Sequence, residues 1–309
     1  METTSSIRKV VIPAAGMGRR FLPATKVVPK EMLPIAGRPL IQLAIEEVAA
    51  SGVQSVILVI GKGKRFLTEH FQRDSETERV LRHLGYEDDA NQIHRLSQLV
   101  EIQTAWQPSP LGLADAIRCA RPLVGDEPFA VILPDAVIDA EEPCIGQLIS
   151  CYRKHPGCII ATRRVKSEEV DRFGILDLVP VPDRCCGGRV SRVRSLTERP
   201  RRGTTSSRYG IFGRYILQPG IFEAIEQIPP GFAGELQLTD ALLAASSSMP
   251  IYAYRFAGEH YDAGSRLGFL QANIAYALKD AALAPLLREY LVSLQLDAGS
   301  SSRTTARLA

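Results

Sequence analysis

Several sequence patterns that commonly identify a function are missing from this chain of 309 residues. Its six cysteines form no CxxC pair and have no histidine at zinc spacing, so we expect reduced thiols and no structural zinc. No run of about 18 apolar residues is present to span a bilayer. The first residues carry an acid and only a short apolar run, which does not fit a signal peptide. These features predict a cytoplasmic protein with no membrane partner.

A large excess of charge is also missing. The chain has 37 basic and 34 acidic residues, a net charge of +3, which gives no general attraction to nucleic acid. An arginine-rich stretch at 184–208 lacks interleaved aromatic residues. We therefore interpret it as a solvated hairpin and loop rather than an RNA-binding face, and we expect no nucleic-acid partner. Any site for an anion must be local.

What the chain does have is an alternation of short β-branched runs with helical patterns. This order predicts right-handed crossovers and parallel strand pairing. We predict α/β class, with a Rossmann-like, mostly parallel sheet flanked by helices, a β-rich insertion at 173–217 and a helical C-terminal part. The predicted strands are 8–12, 55–60, 100–106, 129–133, 158–164 and 250–256. The predicted helices are 39–50, 111–120, 143–155, 219–227, 238–247, 264–281 and 283–294, with charged helical excursions at 64–98.

The loop after the first strand reads AAGMGRRFLPATKVVPKEMLP, residues 14–34. Its prolines prevent a helix or a regular strand through its middle. A dinucleotide-binding fingerprint fits poorly because Phe21 stands where the third glycine is needed and no acid ends the second strand. A Walker loop is excluded because no GK[ST] follows. What remains is a glycine loop that can approach phosphate or base, followed by a stiff cationic arm that includes Arg20, Lys26 and Lys30.

The same loop closely resembles the signature of the bacterial UTP–glucose-1-phosphate uridylyltransferases, the UDP-glucose pyrophosphorylases. The resemblance continues in order from about residue 7 to about residue 280. The further matching segments are ILPDAVID (132–139), FGILD (173–177), LTERP (196–200), GRYIL (213–217), GELQLTDA (234–241) and YDAGSRLGFLQA (261–272).

This resemblance implies a glycosyltransferase-A-like nucleotidyltransferase fold and a Mg²⁺-dependent reaction. UTP and glucose 1-phosphate would give UDP-glucose and pyrophosphate by direct in-line attack. It further implies one domain at 7–296, divided into a nucleotide-binding half (7–165), a sugar-binding half (166–262) and C-terminal helices (263–296). We expect a homodimer or homotetramer, and a disordered tail at 297–309.

The resemblance also assigns roles to individual residues, matched motif by motif. The implied catalytic residues are Arg20 and Lys30. The implied nucleotide-binding residues are Ala14, Ala15, Gly16, Gly18, Glu31, Gln107 and Gly112. The implied residues for the sugar phosphate are Gly174, Glu198, Arg199, Gly213 and Glu235, although Glu235 could equally cap a helix. The implied metal ligands are Asp135 and Asp262, for which a helix cap is the alternative.

Some positions depart from the pattern of that family. Arg19 stands for a threonine, Arg199 for a lysine, Asp115 for a histidine and Gly234 for an acid. Two alternatives to the uridylyltransferase therefore stay open. One is a catalytically weak paralog that regulates a partner enzyme, and the other is a related transferase with a different sugar or nucleotide.

Overall fold

The structure, a computed structural model, describes residues 6–182 and 186–300. The strands are β1 (Lys9–Pro13), β2 (Pro34–Ile35), β3 (Arg38–Pro39), β4 (Ser55–Ile60), β5 (Glu101–Trp106), β6 (Phe129–Ile132), β7 (Ala136–Asp139), β8 (Cys158–Arg164), β9 (Gly174–Pro180), β10 (Val190–Glu198), β11 (Tyr209–Leu217), β12 (Ile251–Arg255) and β13 (Glu259–Asp262). The helices are α1 (Leu40–Ala50), α2 (Phe66–Glu69), α3 (Ser75–His83), α4 (Glu87–Leu96), α5 (Leu113–Cys119), α6 (Arg121–Val124), α7 (Cys144–Tyr152), α8 (Ile221–Gln227), α9 (Leu238–Ala245), α10 (Arg266–Ala277) and α11 (Leu283–Ser300).

A nine-stranded sheet in the order β5-β4-β1-β6-β11-β8-β12-β10-β9 forms the centre of the molecule. The parallel pairing predicted for the first three strands of this sheet is confirmed. Strands β11 and β10 run opposite to the other seven, so the sheet is mixed. Successive residues of the short apolar strands point to opposite faces and enter two separate cores, as Val10 and Val11 do. The predicted α/β class is confirmed.

The prediction of a β-rich insertion at 173–217 is wrong. Strand β11 lies in the middle of the nine-stranded sheet, between β6 and β8, and β9 and β10 extend the same sheet to its edge. The prediction failed because the two strands have different patterns: β11 is buried along almost its whole length, while β10 alternates buried residues with exposed arginines. The alternating pattern is typical of an antiparallel strand with one buried and one solvated face.

A separate two-stranded sheet was not predicted. Strands β7 and β13 pair in antiparallel fashion, with Asp262 opposite Ala136 in the register. This pairing places Asp262 beside Asp135, the residue before Ala136 in the chain. Two acids that lie far apart in sequence are therefore brought to one edge of the central sheet.

The C-terminal part is helical, as predicted. Helix α11 continues to Ser300, so the predicted start of a disordered tail at 297 falls inside a helix. The rest of that predicted tail, 301–309, lies outside the described residues. In the part of the chain that the structure describes, no helix has the length and the apolar composition that crossing a bilayer requires.

Candidate active site

Two adjoining cavities open beside the ends of β1 and β6. The larger cavity, about 460 Å³, is lined by the loop after β1, the segment after β5 and residues 233 and 235. The smaller cavity, about 350 Å³, is lined by residues 171–173, part of β11 and part of β13. Leu133 and Asp135 line both cavities and so form the wall between them. Ligands of open α/β sheets bind at such carboxyl ends of strands.

The loop at 14–34 is a chain of three short 3-10 turns, at Arg19–Phe21, Ala24–Lys26 and Lys30–Met32. The prediction that its middle is neither an α-helix nor a regular strand is confirmed. Gly18 has a φ of +65°, in the left-handed region that glycine adopts without strain. A Cβ atom at Gly18 would lie 3.1 Å from Cγ2 of Thr25 and 3.2 Å from Cβ of Lys30. The loop therefore folds back on itself at a point where only glycine fits comfortably.

Lys64 holds this loop in place by hydrogen bonds, a role that was not predicted from the sequence. Its Nζ donates to the carbonyl oxygens of Ala14 (2.5 Å) and Gly16 (2.6 Å) and to Oε2 of Glu31 (2.9 Å). Burial lowers the pKa of Lys64, although the neighbouring Glu31 raises it. Burial also raises the pKa of Glu31 despite the Lys30 and Lys64 ammonium groups nearby. Since one ammonium group satisfies two loop carbonyls, it fixes the direction of the backbone at the cavity mouth.

Most of the residues predicted to bind nucleotide come together in the larger cavity. Ala15, Gly16, Gly18, Gln107 and Gly112 line it, together with Lys30 and Arg19.

Ala14 and Glu31 were also predicted to bind nucleotide, but in the structure neither residue lines the larger cavity. Both are fully buried. The amide of Ala14 donates to the carbonyl of Val59, which continues the strand pairing. Oε1 of Glu31 has no hydrogen-bond partner among the described residues. Glu31 therefore supports the loop through Lys64 instead of reaching the cavity.

Lys30 and Asp135 form a close ion pair at the wall between the cavities. Nζ of Lys30 lies 2.6 Å from Oδ2 of Asp135. Burial disfavours the charged form of both side chains, but the charge of each one stabilises the charge of the other. The pKa of Lys30 is raised by the Asp135 and Glu31 carboxylates, which outweigh burial. The pKa of Asp135 is lowered by Lys30, which also outweighs burial. Both groups are therefore held in their charged forms.

Asp262 is surrounded by cations from two other segments. Its Oδ2 lies 3.1 Å from Nη2 of Arg172 and 3.6 Å from Nη1 of Arg20. The helix-cap alternative for this acid does not hold, because Ser265 caps α10 and accepts a hydrogen bond from Gly268. Asp135 precedes a strand rather than a helix, so the same alternative fails there.

The carboxylates of Asp135 and Asp262 converge beside Gly264. A Cβ atom at Gly264 would lie 2.8 Å from Oδ2 of Asp135 and 3.2 Å from Oδ1 of Asp262. Among residues 6–182 and 186–300, no group of three or more His, Cys, Asp or Glu side chains is arranged to hold a metal. Two converging carboxylates suit Mg²⁺ better than an all-protein metal cage, because Mg²⁺ takes few protein oxygens and keeps phosphate and water ligands. The residues present therefore fit this ion.

The five residues predicted to contact the sugar phosphate divide into three groups. Arg199 and Gly213 line the smaller cavity. Glu198 and Gly174 lie just behind it, where Oε2 of Glu198 accepts a hydrogen bond of 3.0 Å from Oγ1 of Thr239. Glu235 lines the larger cavity instead, beside Gly112, so the structure places it with the nucleotide residues. The pKa of Glu198 is raised by burial.

The arginine at 199, a departure from the family pattern, has contacts that a lysine would not reproduce. Its guanidinium carbon lies 5.2 Å from the ring centre of Phe232, and its Nε lies 3.4 Å from Oε1 of Glu198. A planar guanidinium stacks on an aromatic ring and pairs with an acid at once. Its backbone amide donates to the carbonyl of Phe173 although its φ is +41°. The loop after β10 thus directs this cation toward the smaller cavity.

Sequence reasoning missed Lys64 and Arg172. Lys64 lies in a glycine-lysine segment directly after β4, a strand whose carboxyl end adjoins that of β1. That position was the available signal, because the carboxyl ends of neighbouring parallel strands meet at one edge of a sheet. Arg172 immediately precedes the FGILD segment, and nothing in its local pattern distinguishes it from the exposed arginines nearby.

Comparisons with known proteins agree over almost the whole chain. The family model described as nucleotidyl transferase matches residues 9–279. The UTP–glucose-1-phosphate uridylyltransferase of Bacillus subtilis is 41% identical over 288 residues, which is 93% of this chain and 97% of that protein. Among curated relatives, the enzyme of the same name from Staphylococcus haemolyticus is also 41% identical, with 93% of this chain and 98% of that protein covered.

Solved structures give the same result. A UTP-bound enzyme of this type from Acinetobacter baumannii superposes with a TM-score of 0.85 at 33% identity, covering 93% of this chain and 99% of that chain. A UDP-glucose pyrophosphorylase in complex with UDP-glucose superposes with a TM-score of 0.80 at 36% identity, covering 89% of this chain and 100% of that chain.

Proposed function

The chain belongs to the nucleotidyl transferase family, and within it to the UTP–glucose-1-phosphate uridylyltransferases, and from this premise we propose how it acts. It transfers a uridylyl group from UTP to glucose 1-phosphate, and it releases UDP-glucose and pyrophosphate. The observation that carries the proposal is the wall shared by the two cavities, because Asp135 faces both. A reaction between two separately bound phosphate esters needs such a meeting point.

In this proposal UTP occupies the larger cavity, and glucose 1-phosphate occupies the smaller one. The backbone of Ala15, Gly16 and Gly18 lies against the nucleotide, with Gln107 and Gly112 near the base. Arg199 and Gly213 contact the sugar phosphate, and Glu198 reaches a sugar hydroxyl. Glu235 approaches the nucleotide, as its position beside Gly112 supports.

An oxygen of the sugar phosphate attacks the α-phosphorus of UTP, and the bond from that phosphorus to the bridging oxygen of pyrophosphate breaks. Pyrophosphate leaves with the bonding electron pair, so no enzyme nucleophile is needed. Lys30 and Arg20 are the catalytic residues, because their positive charges lie beside the phosphates whose mutual repulsion opposes the reaction. Lys30 is already fixed in its charged form by Asp135.

Asp135 and Asp262 would hold the Mg²⁺ ion, which would supply positive charge to neutralise the phosphates of the substrates. The same two carboxylates are paired with Lys30, Arg20 and Arg172. We infer that these cations turn to substrate phosphates when the acids take a different partner. Arg172, which lines the smaller cavity, then binds the phosphate of the sugar.

We propose the domain organisation suggested by the sequence, with the two halves meeting at this wall. The nucleotide-binding half, 7–165, supplies most of the larger cavity, and the sugar-binding half, 166–262, supplies most of the smaller one. The C-terminal helices expose a row of apolar side chains, namely Leu267, Leu270, Ile274, Leu286 and Tyr290. These support a homodimer or homotetramer in which a second copy covers that row. The cytoplasmic location stays a prediction.

The test is a measurement of pyrophosphate release by the purified protein with UTP, glucose 1-phosphate and Mg²⁺. We expect multiple turnovers, and their loss when the metal is chelated. Substituting dTTP for UTP, and galactose or mannose 1-phosphate for the glucose ester, measures the preference among related substrates. Turnover only with a different sugar or nucleotide would replace the proposed substrates. Binding of UTP without turnover would favour the regulatory paralog.

A further inference from the structure

Gln107 is held in a way that leaves one hydrogen-bonding atom for a ligand. The side chain follows β5, is only 5% exposed and lines the larger cavity. Its Nε2 donates to Oδ2 of Asp115 over 2.7 Å and to the carbonyl oxygen of Gly112 over 3.3 Å. A side-chain amide nitrogen carries two protons, so both donors are engaged within the protein. Within the described part of the chain, Oε1 has no hydrogen-bond partner, and it is the atom that remains for a base.

Asp115 decides this orientation. A side-chain amide can turn its oxygen and nitrogen around, but a carboxylate only accepts hydrogen bonds and therefore requires the nitrogen. Asp115 is 2% exposed and also accepts a hydrogen bond of 2.6 Å from Nη2 of Arg118. The guanidinium compensates the buried negative charge of Asp115 beside Gln107.

We propose that Asp115 is a positioning residue for base selection, since it fixes Gln107 as a hydrogen-bond acceptor in the larger cavity. The inference rests on the proposed function and deepens it, because it specifies the hydrogen-bond donor that the base must present to Gln107. Uracil and thymine present a ring N–H that can donate to Oε1. Cytosine has a lone pair at the same ring position, which would face the oxygen and leave it unpaired. Sites that are built to hydrogen-bond one group reject analogues lacking it strongly.

The residue type at 115 is what makes the selection rigid. Asparagine at this position could donate or accept, so only the longer contact to the Gly112 carbonyl would still favour the present orientation of the Gln107 amide. The histidine that stands here in the family pattern can likewise do either, depending on its tautomer. An aspartate paired with an arginine is therefore a stricter way to hold the glutamine.

The first experiment compares UTP with CTP as substrates of wild type and Asp115→Asn. We expect kcat/KM for UTP to fall about tenfold, mainly through KM, because a base contact acts equally in the ground state and the transition state. We expect kcat/KM for CTP to rise or stay level, so that the UTP-to-CTP preference falls at least tenfold. Asp126→Asn, an exposed change, is the matched control and keeps the wild-type ratio. Equal melting temperatures establish that the variants fold alike.

The second experiment tests the pairing between positions 107 and 115 directly. Gln107→Glu places two carboxylates in contact, and we expect UTP turnover to drop severely. Adding Asp115→Asn supplies a donor to the new carboxylate and leaves its other oxygen as an acceptor, so UTP preference should recover. A purely structural role would not produce this recovery.

An unchanged UTP-to-CTP ratio in a folded Asp115→Asn protein would overturn the inference, as would failure of the double variant to recover UTP preference. Failure of the proposed function is distinguishable, because wild type would then turn over no UTP. In that event calorimetric binding of UTP and CTP to wild type and Asp115→Asn gives the ratio without turnover. An unchanged binding ratio again overturns the inference.

Discussion

The two cavities share a wall, but they are built in different ways. The larger cavity is built on groups with fixed partners: Lys64 holds two carbonyls of the loop after β1, and Asp115 holds Gln107. The cations of the smaller cavity are half-exposed, with side-chain exposures of 60% for Arg20 and 49% for Arg172. Their common partner is the acid Asp262.

This difference shows what each side has to do. A nucleotide base is recognised by shape and by a few hydrogen bonds, which benefit from a rigid frame. In the proposed function the other side must accommodate glucose 1-phosphate and a metal ion, so the partners of its charges have to change. Long arginine side chains in partial contact with water can make that exchange at little cost. The predictions below test whether the larger cavity is rigid and the smaller cavity is adaptable.

The largest effect is expected at the wall itself. Asp135→Asn removes a proposed metal ligand and the charged partner of Lys30, so we expect pyrophosphate release to fall by roughly 10³-fold. Steady-state turnover at saturating Mg²⁺ measures it, with Asp126→Asn as the surface control. Turnover within a few-fold of wild type would remove Asp135 from the metal site.

A large effect is also expected below the loop of the larger cavity. Lys64→Met leaves the fully buried Glu31 without a partner, which should destabilise the fold by about 3 kcal/mol. It should also raise KM for UTP by about 10²-fold, because the loop carbonyls lose their shared donor. Thermal melting and UTP titration report the two effects.

The double variant Lys64→Met/Glu31→Met separates stability from binding. Replacing both partners by apolar groups removes the buried unpaired charge, so melting should recover most of its loss. The KM for UTP should stay high, since the loop carbonyls still lack the donor that Lys64 supplies. Recovery of both quantities would show that Lys64 acts only on stability, and the larger cavity would not depend on a rigid frame.

A smaller effect is expected from Arg172, one of the cations that line the smaller cavity. Arg172→Gln removes one of several cations in the smaller cavity, so we expect KM for glucose 1-phosphate to rise about tenfold with KM for UTP unchanged. Arg172→Lys should recover part of the loss, because a point charge still attracts phosphate. An equal rise for both substrates would contradict the division between the cavities.

The smallest effect on turnover is expected far from both cavities. Leu270→Glu adds a charge to an exposed apolar position on α10, and we expect it to lower the oligomeric state while turnover changes less than twofold. Light scattering coupled to size-exclusion chromatography measures the mass. The matched control is Leu84→Glu, an exposed leucine next to α3 and outside the apolar row. A monomeric wild type would contradict the proposed assembly.

Much of the fold could be predicted from the sequence, because its strands are short, β-branched and separated by regular helices. Strands β4 and β8 begin and end where the pattern placed them. The place of β11 in the sheet could not be predicted, since its nearest neighbours β6 and β8 come from an earlier part of the chain. Burial on both faces only indicates a central strand and does not say which strands lie beside it.

The candidate site was predictable where a motif is local. The glycine loop, Lys30 and Asp135 lie in short matching segments, and the structure brings them together. The roles of Lys64 and Asp115 depend on contacts between separate segments, and these are visible only in three dimensions. Glu31 lies inside the local motif, but its role was predicted wrongly, because its side chain turns inward and supports the loop through Lys64.

The central claim is that Asp135 and Asp262 hold one divalent ion at the wall between the cavities. The most direct measurement is anomalous scattering from Mn²⁺ in crystals grown with UDP-glucose. The account predicts one strong peak per chain, within coordination distance of both carboxylates, with Lys30 and Arg172 turned toward the phosphates. A peak elsewhere, or carboxylates still paired with those cations while the ion lies on phosphate alone, would contradict it.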